Sequence, residues 1–163
     1  MSRSQELRVE SAIVDPAAVP GRRGTAYPPP FRHCVAGREK RALGDACGLV
    51  NFGVNLTRLE PGAASALMHW HERQDEFVYV LEGEITLVTD GGEAVLRPGM
   101  AAGFPAGRKL AHHLVNRSSS PALYLEIGDR SSGERAHYPN DDLEARADSD
   151  GKWIFTHKDG TPW

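Results

Sequence analysis

Apolar and polar positions fall into short runs from Val50 onward: "LVNFGVNLTRL", "SALMHWH", "EFVYVLEG", "EITLVTD", "EAVLRPG", "HHLVN" and "ALYLEIGD". Each is rich in β-branched or aromatic residues and bounded by Gly, Pro or Asp, and they recur at intervals of about ten residues, as strands do. That rhythm predicts a β-sandwich or barrel, and helical periodicity fits it poorly. "TDGGE" supplies residues that accept positive φ between "EITLV" and "EAVL", which predicts a tight hairpin. "EPG" and "RPG" each place proline before glycine, as a type II turn prefers.

The two ends read differently. Residues 1 to about 30 include "DPAAVPGRRGTAYPPPF", where proline and glycine deny a helix and a central strand, so an extended arm is expected. Residues 131–163 are more polar, and "SSGERAHYPNDDLEARADSD" suggests an appendage with one short helix near Asp141 to Arg146. Only "KWIFTHKDGTPW" reads as one further strand and turn, a tail that docks by Trp163. The expected organisation is one all-β domain over residues 1–163: an N-terminal arm to 45, a barrel over 46–130 and the appendage from 131.

Composition narrows the function class. A net charge of -3 offers no basic field for nucleic acid, and no run approaches the roughly 18 apolar residues of a membrane span. The start, "MSRSQELRVE", lacks the apolar core of a signal peptide, so a cytoplasmic location is expected. Cys34 and Cys47 lack CxxC spacing and read as reduced thiols without chemistry.

The chemistry concentrates in "HWHERQDEFVYVLEGE", residues 69 to 84. In a strand His69 and His71 project to one face, with Met68 and Trp70 on the other. Glu76 can join the histidines if "ERQD" bends. Two imidazoles and a carboxylate suit a divalent transition metal and leave positions open for water or substrate. A third histidine would complete the set, and "AHHLVN" offers His112 and His113 on opposite faces of a regular strand, with spacing alone choosing neither. The alternative is a barrel that keeps these groups as a polar core network. Trp70, Phe77 and Tyr79 read as packing residues, Arg58, Arg108 and Lys109 as solvated surface, and His137 and His157 as residues of a polar tail.

These residues carry a resemblance. "GAASALMHWHERQDEFVYVLEG" resembles the first cupin motif, with Gly62, His69, His71, Glu76 and Gly83 in its roles and one extra residue after Gly62. "GMAAGFPAGRKLAHHLVN" resembles the second, with Gly99, Pro105, Gly107, His112 and Asn116, although His112 arrives two residues late and Leu110 stands at the usual position. The distance to Asn116 favours His112 over His113. The nearer likeness is to a group of bacterial single-domain cupins. The resemblance implies a jelly-roll barrel (the cupin double-stranded β-helix) and metal ligands His69, His71, Glu76 and His112. The thiolate-free nitrogen and oxygen set suits a divalent transition metal (Mn, Fe, Ni, Zn or Cu), a small-molecule ligand is expected at the barrel mouth, and a homodimer is expected both from the likeness and from the extended first 30 residues, which could add a strand to a neighbouring barrel. Cupins include dioxygenases, sugar-phosphate isomerases, decarboxylases, aminohydrolases and non-enzymatic binders. The expected function is therefore Lewis-acid or oxygenase-type chemistry on a small chelating molecule (a carboxylate, diketone or sugar derivative), with a non-catalytic ligand binder as the alternative.

Overall fold

The computed structural model describes residues 12–163. The polar start on which the expectation about export rests lies outside them, as does the beginning of the arm. The strands are β1 (Arg22–Arg23), β2 (Arg38–Ala42), β3 (Phe52–Leu59), β4 (Trp70–His71), β5 (Glu76–Glu82), β6 (Ile85–Thr89), β7 (Gly92–Leu96), β8 (Ala101–Phe104), β9 (His112–Val115), β10 (Ala122–Asp129), β11 (Arg135–Tyr138), β12 (Leu143–Ala147) and β13 (Trp153–Thr156). One short helix, α1 (Leu43–Ala46), leads into β3.

The strands form a six-stranded sheet, β1-β2-β3-β10-β5-β8, a three-stranded sheet, β7-β6-β9, and a four-stranded sheet, β13-β12-β11-β4. All pairings are antiparallel, as the jelly-roll expectation requires. Alternation puts Val78 and Val80 of β5, Tyr124 of β10 and Leu59 of β3 on the inner face of the large sheet. There they meet Ile85, Leu96 and Leu114 of the three-stranded sheet in a buried core. Each fully buried aliphatic side chain contributes roughly 1.5–3 kcal/mol, an upper range because unfolded chains already bury some surface. Gly83 joins β5 to β6 at φ 74°, and a Cβ there would meet the Pro121 carbonyl oxygen at 2.7 Å, so only glycine fits this corner. Gly62 and Gly99, with φ 80° and 87°, carry the expected proline–glycine turns.

The described part of the arm folds back on its own chain. β1 pairs with β2 and β2 with β3, and a 3-10 turn over Pro29–Val35 brings Tyr27 and Val35 into a second core with Ala136, Tyr138, Leu143 and Ala145. The C-terminal region departs from expectation most. No helix forms over Asp141 to Arg146; Leu143–Ala147 is a strand paired on both sides, by β11 and β13. "LEARA" has good helix formers, but Leu143 and Ala145 alternate with exposed or half-exposed neighbours, and burying that face against the arm overrides local propensity. Trp163 docks as expected: its indole N–H donates to the Asp142 carbonyl at 3.0 Å, and its ring stacks on His157 at 3.9 Å.

Candidate metal centre

β4 is only two residues long, but it sets the site. His71 lies opposite Ala136 of β11 on the inner face, while Trp70 lies opposite His137 on the outer face, where the two rings stack at 4.1 Å. His69 sits one step earlier and forms an isolated antiparallel bridge with His112, each backbone N–H donating to the other's carbonyl, at 3.2 and 2.9 Å. Residues directly opposed across such a bridge share a face, so His112 turns inward with His69. His113 turns away and places Nδ1 3.0 Å from the Ala66 carbonyl oxygen.

The "ERQD" stretch bends, as Glu76 needs. The backbone N–H groups of Glu72 and Arg73 donate to the Glu134 carboxylate at 3.0 Å each, and that of Asp75 to Asp129 at 2.6 Å. β5 then starts with Glu76 facing inward. His69, His71 and Glu76 each bring a donor atom within 4.8 Å of the others. His112 stands beside this trio through Glu76: its Nε2 lies 3.3 Å from Glu76 Oε2, against 3.4 Å for His71 and 3.7 Å for His69.

All three imidazoles are oriented alike. Nδ1 of His69 lies 2.8 Å from the Leu67 carbonyl oxygen, Nδ1 of His112 lies 3.1 Å from that of Leu110, and Nδ1 of His71 lies 3.2 Å from Glu134 Oε1. A carbonyl only accepts, so Nδ1 of His69 and His112 carries the hydrogen, and in the neutral ring the Nε2 lone pair faces Glu76. Phe104 lies flat on the His112 ring at 3.5 Å, and Tyr138 stacks on His69 at 5.9 Å, which restricts ring rotation. This donor set of convergent, pre-oriented nitrogens around one carboxylate oxygen fits a divalent transition metal.

The electrostatics are tightly linked. Burial opposes charge on Glu76, but the three imidazoles around it hold its carboxyl well below the usual range. Burial also works against a charged His71, yet its bonds to Glu134 and Glu76 outweigh that and push it up to about 9, so a cation entering must displace its proton. His69 is pulled down by burial.

Glu134 was not among the residues singled out from the sequence. It is fully buried, and its carboxylate accepts from His71 and from two backbone N–H groups. A signal existed: Glu134, Ala136 and Tyr138 alternate in "GERAHYP" on the face that carries the buried side chains of β11. Trp70 is a packing residue as expected, whereas Phe77 and Tyr79 lie on the outer face of the large sheet, 42% and 38% exposed.

Above the trio opens a cavity of about 750 Å³. One wall is the inner face of β2, β3 and β10, the other the aromatic face of the C-terminal sheet with Tyr138, Trp153 and Phe155. The appendage therefore forms one wall of the site.

Comparison with known proteins bears on the family and the fold. The cupin domain profile matches residues 55–128. A sugar phosphate isomerase of the cupin superfamily from Silicibacter pomeroyi is 46% identical, with a TM-score of 0.89 over 93% of this chain and 96% of that one. The chain belongs to the cupin superfamily. A proposed sugar phosphate isomerase from Acidithiobacillus ferrooxidans is 32% identical, with a TM-score of 0.69 over 77% of this cupin and 80% of that chain. A polyketide cyclase from Streptomyces resistomycificus, 22% identical with a TM-score of 0.60 over 72% of this cupin and 78% of that chain, shares the fold alone. No curated protein matches. Among the described residues no helix is long and apolar enough to cross a membrane.

Proposed function

We propose that this cupin is a metal-dependent enzyme acting on a small chelating molecule, and that the reaction is a Lewis-acid isomerisation of a sugar derivative. The observation that carries the reading is the convergence of the Nε2 atoms of His69, His71 and His112 on one Glu76 oxygen, each ring held through Nδ1. A bound metal would polarise a substrate carbonyl or enediolate oxygen and hold the chelating end of the molecule. The protein's own groups keep the three nitrogens aimed, exclude bulk water from the barrel floor and leave the cavity open on one side. The 46% identity to a sugar phosphate isomerase over nearly the whole chain supports isomerisation over oxygenase chemistry.

The rival reading is a non-catalytic ligand binder. Elemental analysis of protein purified without a chelating tag tests the site: the wild type is expected to hold near-stoichiometric transition metal, and His71→Ala to lose most of it. Equal metal content in both would reject the site. Turnover of aldoses or ketoses that disappears with a chelator and returns with metal separates enzyme from binder.

A cytoplasmic homodimer belongs to the same proposal. The described arm pairs with its own barrel, so the support for a dimer is the outer face of β5, where Phe77, Tyr79 and Leu81 stand exposed side by side. Sedimentation equilibrium is expected to give twice the 17.8 kDa chain mass, and a monomer at micromolar concentration would refute it.

A further inference from the structure

The metal chemistry leaves one wall of the cavity without a task. Same-face positions on the inner side of the large sheet form rows across the strands, about 7 Å apart along each strand. In the first row Gly53 and Gly128 lie beside Glu76 and line the cavity, with the Arg130 guanidinium over Gly53 and the Asp75 carbonyl oxygen over Gly128. The second row holds Asn55 and Glu126, and the third Lys40, Thr57 and Tyr124. Lys40 Nζ donates to Glu126 Oε1 at 2.5 Å, and Asn55 Nδ2 donates to the same oxygen at 3.4 Å. Thr57 and Tyr124 are fully buried beneath this row and do not line the cavity.

Beyond this strip, Arg38 lines the cavity from β2. Its guanidinium donates to the carbonyls of Ser65 and Gly24, and among the described residues no carboxylate pairs with it. The other cations lining the cavity are neutralised, Lys40 by Glu126 and Arg130 by Asp45. A half-buried guanidinium fixed by two backbone carbonyls, with further N–H groups to spare, is a ready partner for an anion from outside. Burial pushes the neighbouring Tyr27 phenol up to about 12, so Tyr27 itself adds no negative charge beside Arg38.

Asn55, Glu126 and Lys40 present donors and acceptors side by side on the cavity wall, which suits hydroxyl groups, since each is both. A flat diketone would leave these groups unpaired at a cost in affinity. The aromatic wall opposite offers an apolar surface for the C–H face of the same molecule.

We propose that Arg38 anchors the anionic end of the ligand and that Asn55, Glu126 and Lys40 read its hydroxyls, so the site takes a polyhydroxylated chain with a terminal phosphate or carboxylate. The assignment rests on the reading of the site above and adds the residues that hold the part of the molecule remote from the metal.

Calorimetric titration of manganese-loaded protein with ribose 5-phosphate, ribonate and ribose tests it. At least one anionic probe is expected to bind 10-fold or more tightly than ribose, and which of the two binds distinguishes phosphate from carboxylate. Arg38→Gln should bring that probe down to the level of ribose, a 10–100-fold loss, with metal content unchanged. Arg38→Lys keeps the charge without the fork and should retain the preference with a smaller loss, which keeps the test open if the glutamine variant fails to fold. Anion preference surviving in Arg38→Gln, or neither anionic probe binding at millimolar concentration, overturns the assignment. Should the wild type hold no metal while Arg38→Gln still abolishes anion binding, the metal reading falls and the anchor stands.

Discussion

Replacing Glu134 by Gln keeps shape and removes one negative charge from a fully buried position. Burial opposes the charge on Glu134, but the bond from His71 and the two backbone N–H groups hold its carboxyl below the usual range, so the carboxylate is the form the fold uses. Oε1 accepts from His71 Nδ1 at 3.2 Å and from the Glu72 N–H at 3.0 Å, while Oε2 accepts from the Arg73 N–H at 3.0 Å. Glutamine has one oxygen. Kept on His71 and Glu72, it turns an NH₂ toward the Arg73 N–H and leaves that buried donor unpaired, a cost of about 1–3 kcal/mol. For a domain of this size, that is a fall in Tm of roughly 2–12 °C. Loss of the carboxylate behind His71 should also weaken metal affinity by about 10–100-fold. Competition titration against a fluorescent zinc chelator measures the second effect, and thermal unfolding with and without metal the first. Unchanged affinity with lowered Tm would leave Glu134 as a clamp on the bend and refute its role behind His71; no change in either would refute the hydrogen-bond reasoning as well.

His112→Ala should lose at least tenfold in metal affinity while His113→Ala keeps it within about twofold, and the reverse order in the same titration would contradict the inward turn of His112. Asp129 contributes to stability in acid. Burial works against its charge, yet the Ser131 hydroxyl and the N–H groups of Asp75 and Ser131 hold its carboxyl below the ordinary 3.8. That stability, about 1 kcal/mol after allowance for solvent, is full above pH 3.8 and is lost as pH falls through the folded value. Urea unfolding of Asp129→Asn should therefore converge with the wild type at the acid end, and a constant difference down to pH 2 would argue against it. Trp163→Ala removes an N–H to carbonyl bond and a ring stacked on His157, so Tm should fall by roughly 2–6 °C with metal content unchanged; a fall in metal content would give the tail a role at the site.

Much of the barrel was legible because strands of a half-buried sheet write their period into the chain. Alternation, turn glycines and the HxH pair act over a few residues, and "HWH" needs only a strand to put both imidazoles on one face. Less legible was anything that depends on which strand lies beside which. In "AHHLVN" alternation allows either His112 with Leu114 or His113 with Val115 to face inward, and the bridge between His69 and His112 makes the choice. Leu143–Ala147 has the propensity of a helix and becomes a strand because β11 and β13 flank it. Its exposed edge would otherwise have stayed unpaired.

From residue order alone come the strand rhythm, the tight corners and the pair His69 and His71 on one face, since these are set by local backbone geometry and side-chain type; Glu76 joins them through a bend that Glu134 and Asp129 hold. Tertiary structure decided the rest of the site. Glu134 lies 63 positions from His71, and Arg38 and Lys40 lie in a segment that reads as an arm. Their places depend on antiparallel pairing between segments far apart in the chain, and a buried carboxylate or an unneutralised guanidinium acquires its chemistry only from the neighbours that folding brings to it.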